Sequence, residues 1–261
     1  MKARTRIALA TPALSIAALC WLAGPASAAD GSAQGTLAPV VLNGVQGGGT
    51  AMATVSGTTL TVEMQATGLL ADNPHAAHIH FGAAARHECP AASDDKNGDV
   101  GTINTTDGGP AYGDIVVSLT KTGDTSPASG LAVDRFDTAP GGNINYERGS
   151  IQISPEVADA IVAGKSVVVI HGVDHNHNGT YDGATKSDLD PTLPTEATDP
   201  ALCAVLASSQ MSTMPAGGAQ TGSGSTAGVQ DAGLLAAGGV ALLGGAALLA
   251  RRRTAPVTAT R

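Results

Sequence analysis

Aromatic and basic side chains are both scarce in this sequence. It contains two Phe, one Trp and three Tyr among 261 residues, so a hydrophobic core must be built mainly from Val, Ile, Leu and Ala. Residues 29–231 carry seven Lys and Arg against 22 Asp and Glu, a net charge of about −15. A surface of this sign repels nucleic acid and slows the approach of anionic substrates, whereas it suits the binding of cations.

Motifs of several common enzyme classes are also missing. The sequence contains no G-x-S-x-G nucleophile elbow, no Walker loop and no H-E-x-x-H zinc-protease motif. Hydrolase and nucleotide-binding functions therefore have no support from the sequence.

Both ends of the chain predict segments outside the folded domain. Residues 1–28 begin with basic residues, continue with an apolar run and end in an A-x-A cleavage site, which is typical of a secretory signal. Residues 210–231 are rich in Gly, Ser, Thr and Ala and predict a flexible linker. Residues 232–250 carry no charge and are just long enough to cross a bilayer as a helix, and a basic tail at residues 251–261 follows.

The basic tail predicts the orientation of the chain in a membrane. A cluster of arginines next to a membrane span stays in the cytoplasm, so we expect the bulk of the chain outside the cell. The sequence thus predicts a single-pass cell-membrane protein, held by its C-terminal helix. Cell-wall attachment is the alternative, because an apolar span with a basic end resembles a sortase sorting signal. The nearest match to the motif of that signal, residues 218–222, lacks the leading Leu.

Residues 29–209 predict one all-β domain. Seven or eight short runs rich in Val and Thr are separated by turns, a pattern typical of a two-layer sandwich or flattened barrel. Residues 131–133 are predicted as one of these strands. Ser154-Pro155-Glu156 predicts a short helix, with Ser as its cap and Pro as its first residue. Residues 172–203 are predicted to be loop.

The predicted exported domain contains two cysteines, Cys89 and Cys203. In an exported chain, an isolated pair of cysteines is most simply a disulfide. Closing a loop of this size contributes roughly 4–5 kcal/mol in the chain-entropy account of disulfides. That contribution matters in a domain with so few aromatic residues.

All seven histidines fall into two clusters. The first contains His75, His78, His80 and His87, and the second contains His171, His175 and His177. In a strand, His78 and His80 project from the same face, while Ile79 points into the opposite layer. His171 ends a run of apolar residues that predicts a buried strand. Three imidazoles from these two strands would form a donor set suited to copper or zinc.

Four short stretches carry a resemblance to a known family. They are His78-Ile-His80-Phe-Gly82, Gly98-Asp99-Val-Gly101, Gly164-Lys-Ser-Val-Val-Val-Ile-His171 and Leu202-Cys203-Ala-Val. In order and spacing they resemble the copper/zinc superoxide dismutase superfamily, and within it the bacterial CHRD (chordin-type) domain proteins. The resemblance implies a Greek-key β-sandwich or flattened barrel. It also implies copper ligands at His78, His80 and His171, a zinc ligand at Asp99, and a disulfide between Cys89 and Cys203.

The sequence departs from that family at residues that bear on the metal. No histidine lies between Cys89 and Asp99, so the histidine that bridges copper and zinc in the dismutases is missing, as are the other zinc histidines. Only His87 is available nearby as a further ligand. The catalytic arginine of the family is replaced by Pro200. We therefore expect copper rather than zinc, and weak or absent dismutase chemistry with superoxide as the candidate substrate.

A second cation site is predicted at residues 174–182. Asp174, Asn176, Asn178 and Asp182 follow the pattern D-x-N-x-N-G-x-x-D, which resembles the first half of calcium-binding loops. The candidates for the closing acid of the loop are Asp182 and Asp188. In such loops, alternating oxygen ligands surround the cation and the Gly permits a sharp turn. A turn rich in Asn, Gly and Asp that binds no metal explains the same pattern.

The sequence therefore supports two hypotheses about function. The first is an exported, membrane-anchored, superoxide-dismutase-like domain that binds copper through its histidines. The second is a non-enzymatic CHRD-type surface module, with calcium as a candidate stabilising ion, that acts in binding or in cell-envelope structure.

Overall fold

The computed structural model describes residues 30–96 and 101–209. All of them belong to one compact unit, Met1–Ser212, and the second unit, Thr213–Arg261, lies outside the described residues. The predicted signal, linker, membrane helix and basic tail also lie outside them, as does Asp99. Within the two described ranges, no helix is both long enough and apolar enough to cross a bilayer.

Strands dominate the described part of the chain. They are β1 (Gly31–Pro39), β2 (Gly48–Ser56), β3 (Thr59–Thr67), β4 (Ala77–Phe81), β5 (Asp114–Ser118), β6 (Ile144–Gln152), β7 (Ser166–His171) and β8 (Pro200–Ser208). The α-helices are α1 (Thr105–Tyr112) and α2 (Pro155–Val162). Short 3₁₀ turns occur at Ala92–Asp94, Pro127–Ser129, Val133–Arg135, Pro140–Gly142 and Thr195–Ala197. The prediction of a mostly β domain is confirmed.

The eight strands form one antiparallel sheet in the order β5-β4-β7-β8-β1-β2-β3-β6. The sheet is curled, because its two edge strands approach each other. Arg148 on β6 donates hydrogen bonds to the carbonyl oxygens of Thr120 and Gly123, just beyond the end of β5. The Tyr146 hydroxyl donates to the same Thr120 carbonyl, at 3.2 Å. Side chains thus link the two edges where strand pairing is absent.

The main core fills the inside of the curled sheet. In β3, Leu60, Val62, Met64 and Ala66 are buried and alternate with more exposed residues, as the sequence pattern predicts. The predicted helix is present as α2, where the Ser154 side chain accepts a hydrogen bond from the backbone of the third helical residue. This helix buries its apolar face against β1 and β2.

A second, smaller core lies on the outer face of the sheet, where long loops cover β7 and β8. It contains Val167 and Val169 of β7, together with Ile103, Tyr112 and Val40. The disulfide between Cys89 and Cys203 packs in this second core and attaches the loop after β4 to β8, with a Cα–Cα distance of 5.8 Å. The predicted disulfide is confirmed. Because both faces of β7 are covered, all six of its residues are buried.

Two local predictions from the sequence are wrong. Residues 131–133 form a turn and the start of a 3₁₀ helix rather than a strand, and Leu131 and Val133 line a cavity that the histidines also line. The end of the predicted loop at residues 172–203 is strand, because β8 starts at Pro200 and pairs with both β7 and β1. The segment between β4 and β5 also contains the helix α1, which Asn104 caps by accepting a hydrogen bond from Asp107 N.

Candidate metal centre

The register of two neighbouring strands places three histidines on the same face of the sheet. In the antiparallel pair of β4 and β7, His78 lies opposite Val169 and His80 lies opposite Val167. The backbone N–H of His171 donates to the carbonyl of Ala76, which extends the same pairing by one position. Directly opposed residues project from the same face, and side chains two residues apart share a face. All three imidazoles therefore project into the outer layer.

The residues between these histidines point the other way. Ile79 on β4 and Val168 and Ile170 on β7 are fully buried in the main core. This confirms the predicted direction of Ile79. The sheet therefore separates the histidines from the main core and places them beneath the loops on the outer face.

The strands β4 and β7 each have an irregular pairing register next to a histidine. The β4–β5 register shifts between Ile79 and His80, and the β7–β8 register shifts between Ile170 and His171. Bulges of this kind change the direction of a side chain and occur often beside functional sites.

The three rings are close together and buried. The ring centroids are 5.6 Å apart for His78 and His80, 5.1 Å for His78 and His171, and 6.0 Å for His80 and His171. Each residue is no more than 3% exposed. One nitrogen from each ring can be chosen so that all three lie within 4.8 Å of one another. The structure thus brings together the three residues that the sequence predicts as copper ligands.

Backbone carbonyls fix the tautomer of each ring. His78 Nε2 donates to the Gly130 carbonyl at 2.9 Å, His80 Nδ1 to the Gly113 carbonyl at 2.9 Å, and His171 Nδ1 to the Thr198 carbonyl at 2.6 Å. A carbonyl oxygen only accepts, so the hydrogen must lie on the ring nitrogen that faces it. The opposite nitrogen of each neutral ring then carries a free lone pair.

Those three lone-pair nitrogens have no hydrogen-bond partner. In the described part of the chain, four buried polar side-chain atoms lack a partner, and three of them are His78 Nδ1, His80 Nε2 and His171 Nε2. A buried polar atom without a partner costs free energy, so native structures contain few of them and they call for an explanation. A metal ion placed between the three nitrogens would satisfy all of them at once.

Burial also keeps the rings neutral, which is the protonation state that a metal ligand requires. Loss of solvation lowers the pKa of His80 to about 3 and that of His171 to about 4. It also lowers the pKa of His78 well below the usual value, and the neighbouring His171 ring adds to this effect. The rings are therefore unprotonated at neutral pH, with their lone pairs available.

The distances fit a single metal ion after a contraction of the three rings. Nitrogen–metal distances in proteins are about 2.0–2.1 Å, so nitrogens at tetrahedral or trigonal angles on one ion are about 3.3–3.6 Å apart. From a limit of 4.8 Å, no pair of nitrogens needs to close by more than about 1.5 Å. The carbonyls of Gly130, Gly113 and Thr198 accept hydrogen bonds from the other nitrogen of each ring. Hydrogen bonds of this kind normally orient the rings of metal-bound histidines.

The three rings also border an open cavity of about 510 Å³. Tyr112 packs against the His80 ring and Phe136 against the His78 ring, at centroid distances of 4.5 and 5.4 Å. The aromatic residues hold the rings from the side, while the cavity leaves one approach to them open. The three histidines therefore border a space large enough for a small molecule.

Of the two other predicted metal ligands, His87 is not part of this group. His87 donates from Nε2 to the Gly82 carbonyl and stacks on Phe81 at a centroid distance of 5.5 Å. Asp99 lies outside the described residues.

The predicted calcium loop is exposed and bonded within itself. The Asp174 carboxylate accepts from the backbone N–H groups of Asn178 and Gly179. The Asp182 carboxylate accepts from the side-chain amides of Asn176 and Asn178. The loop is also fixed from inside by the buried Glu196, which accepts from the backbone N–H of His175 and Asp182. Calcium binding at this loop stays a prediction.

Several residues that shape the centre have no signal in the sequence, because they act through backbone carbonyls. Gly113 is the clearest example. Its φ of 89° is in the region that favours glycine, and a Cβ there would lie 2.7 Å from backbone atoms of Phe81 and Gly82. The tight turn that results aims the Gly113 carbonyl at His80.

A Gly113→Ala variant is expected to lose stability and metal affinity together. The left-handed backbone and the clash should cost more than about 2 kcal/mol, and misplacing the carbonyl should weaken metal binding about 10–100-fold. Gly57→Ala is the matched control, because Gly57 also has a positive φ, 59°, but has open space around its Cβ position. It should lose about 1 kcal/mol by urea denaturation and keep its metal affinity. Equal effects of the two variants on affinity would contradict this role for Gly113.

No protein-family model matches this chain, and no curated protein matches it either. The function is therefore argued from the geometry of the three histidines.

Proposed function

We propose that this protein is an exported, surface-anchored domain that binds one metal ion, copper, through His78, His80 and His171. The observation that carries the proposal is the convergence of three buried imidazoles, each of which has one buried ring nitrogen without a hydrogen-bond partner. The rings come from two strands of one sheet and each is oriented by a backbone carbonyl. Such a centre is rigid and organised before the ion arrives.

The choice of copper rests on ligand chemistry and on family resemblance. Neutral imidazoles suit copper and zinc alike, and sites of this type generally bind copper more tightly. The likeness of the sequence to the superoxide dismutase and CHRD families favours copper, with the same three histidines as ligands. Copper held by these three residues would supply redox chemistry.

Fast dismutation of superoxide is not part of the proposal. Superoxide is an anion, and none of the Lys and Arg residues in the described chain borders the cavity. The three arginines there are engaged elsewhere: Arg86 pairs with Glu88 and Asp94, Arg135 bonds to Ser129 and to backbone carbonyls, and Arg148 bonds to Thr120 and Gly123. With a domain charge of about −15, an anionic substrate would be repelled rather than guided.

The Greek-key superoxide-dismutase type of fold and the membrane anchor are part of the same proposal. The curled eight-stranded sheet supports the Greek-key fold, because strands that are distant in sequence, such as β4 and β7, are neighbours in the sheet. The second is supported by the uncharged segment at residues 232–250 and the arginines that follow it. Attachment to the cell wall is the alternative form of anchoring.

The second candidate function is a non-enzymatic CHRD-type surface module stabilised by calcium, which binds a partner in the cell envelope. It is favoured by the loop at residues 174–182, where the oxygen atoms of Asp174 and Asp182 lie in one exposed, hydrogen-bonded turn. Under this alternative the three histidines form part of the scaffold only.

Copper titration of the purified full chain separates the two candidates. The wild type should retain one equivalent of copper(II) after dialysis, with nitrogen hyperfine splitting in its electron paramagnetic resonance spectrum, and His78→Ala/His80→Ala should retain none. His175→Ala/His177→Ala is the control from the second histidine cluster and should behave as wild type. Equal retention by the wild type and His78→Ala/His80→Ala would eliminate the copper centre. Inhibition of cytochrome c reduction by the loaded protein should not exceed that of free copper.

A further inference from the structure

The cavity above the three imidazoles has an unusually apolar wall for a cavity with histidines at its base. Ile115, Pro127, Leu131, Val133, Leu189 and Leu193 line it, and His78, His80 and His171 form its base. Its volume of about 510 Å³ falls in the range of small-molecule sites, about 300–1,000 Å³. This apolar wall and the three histidines border the same space.

The apolar residues at the mouth of the cavity are exposed. Leu131 and Val133 are each 39% exposed, and Leu189 is 47% exposed. They are half of the six large hydrophobic residues that are exposed in the described chain, and all three line this one cavity. Exposed apolar residues gathered around a concave site, rather than scattered singly, indicate a surface that binds a ligand.

Charge excludes anions from this cavity. Asp114 is the one charged residue that lines it. The Asp188 carboxylate, which accepts a hydrogen bond from the Thr106 backbone, is close enough to act on both His171 and Tyr112. No lysine or arginine in the described ranges borders the space, so the local charge before a metal arrives is negative. An anionic ligand would lose its hydration here and gain no cationic partner from the protein.

We propose that this cavity admits a neutral, largely apolar small molecule and holds it directly beside the ion of the metal centre. The inference rests on the proposed function, since it assigns a substrate class to that same site. The apolar wall supplies the binding free energy, while the three imidazoles and their ion lie at the inner end, where the polar part of a bound molecule would meet the metal.

A pair of photoreactive probes tests this class of ligand. The neutral probe is 3-phenyl-3-(trifluoromethyl)diazirine, and its matched anion is the same molecule with a para carboxylate. Labelling of the purified full chain is mapped by peptide mass spectrometry, with chelator present and with copper loaded. The neutral probe should concentrate on peptides that contain residues 105–115, 127–133 and 189–198, and excess toluene should compete with it. With chelator present, the anionic probe should label these peptides more than about tenfold less than the neutral probe does.

Two double variants show whether the cavity residues are responsible. Leu131→Gln/Leu189→Gln places polar groups at the mouth and should reduce labelling by the neutral probe about tenfold. Val41→Gln/Leu42→Gln is the matched control, because these residues are 43% and 45% exposed but lie outside the cavity. It should label as wild type.

The outcomes separate failure of this inference from failure of the metal centre. Three results would overturn the proposal of an apolar binding cavity. They are labelling spread over the surface, labelling that toluene does not reduce, and equal labelling by the neutral and anionic probes in chelator. Because those measurements are made without metal, they stand whether or not copper binds. A different result is a protein that retains copper and shows normal cavity labelling in chelator and the same labelling with copper loaded. That result would place the ligand away from the ion and overturn the inference that the ligand lies beside the metal.

Discussion

Copper is expected to raise the free energy of unfolding of the full chain by about 4 kcal/mol when free copper(II) is buffered 1,000-fold above the dissociation constant. The physical reason is that the folded state alone brings three imidazoles together, each with one ring nitrogen that lacks a hydrogen-bond partner. An ion bound only to the folded state stabilises it by mass action, and binding to histidines of the unfolded chain reduces the effect. The measurement is urea denaturation followed by circular dichroism, with an expected midpoint shift of about 2 M.

His171→Ala and His177→Ala form the matched pair for this prediction. Both remove one imidazole from the second cluster, but His171 is buried in the centre and His177 is exposed on the loop after β7. The copper increment should fall below about 1 kcal/mol in His171→Ala, since two imidazoles hold the ion weakly, and should be unchanged in His177→Ala. If copper still raises the free energy of unfolding of His171→Ala by the wild-type amount, His171 is not a ligand of the bound copper.

The metal-free protein is expected to lose stability steeply as the pH falls from 7 to 5. Burial lowers the pKa of His80 to about 3 and of His171 to about 4, and it lowers the pKa of His78 as well. The unfolded chain binds protons at these rings below about pH 6.5, while the folded chain does not. Stability is therefore complete above that pH and decreases below it, by up to about 2 kcal/mol per ring at pH 5.

Other groups near the centre modify this slope. His75 is also buried, and loss of solvation lowers its pKa, so it acts in the same direction. Burial raises the pKa of Asp199, and this carboxyl acts in the opposite direction, favouring the folded state as the pH falls. Three imidazoles with lowered pKa values oppose one carboxyl with a raised pKa, so the net effect of acid is to destabilise the folded state.

Urea denaturation in chelator at pH 7, 6 and 5 measures this effect. His78→Gln/His80→Gln should show a much smaller loss between pH 7 and pH 5, because two of the three buried rings are gone. Gly57→Ala, which is destabilised far from the centre, should show the full loss from a lower starting stability. A wild-type stability that is flat over this range would mean that the rings are protonated or solvated in the folded state.

Much of the metal centre could be predicted from strand geometry. The spacing of His78 and His80 gives a shared face in any strand, and the apolar run before His171 predicts a buried strand that ends in an imidazole. The family resemblance added the expectation that these strands bring the three rings together. It could not show the tautomers, because these depend on the carbonyls of Gly113, Gly130 and Thr198, and a carbonyl is the same in every residue.

The strand at Pro200–Ser208 and the turn at residues 131–133 show why other predictions were wrong. Both segments are short and apolar, and local periodicity does not distinguish a strand from a turn packed on a buried surface. The first pairs with strands that are near it only in the folded chain, and the second borders the cavity that the histidines line. Long-range contacts decided both conformations.

The sequence by itself determined the alternation that makes the domain mostly β, the faces on which the histidines project, the pair of cysteines and the acidic charge, because each depends on residue type and local spacing. The tertiary structure decided that β4 and β7 are neighbours, that the three imidazoles converge with one unpartnered nitrogen each, and that they border an apolar cavity. The physical reason is that loops distant in sequence supply the carbonyls and the apolar wall, and only the pairing of the strands brings those loops to the same place.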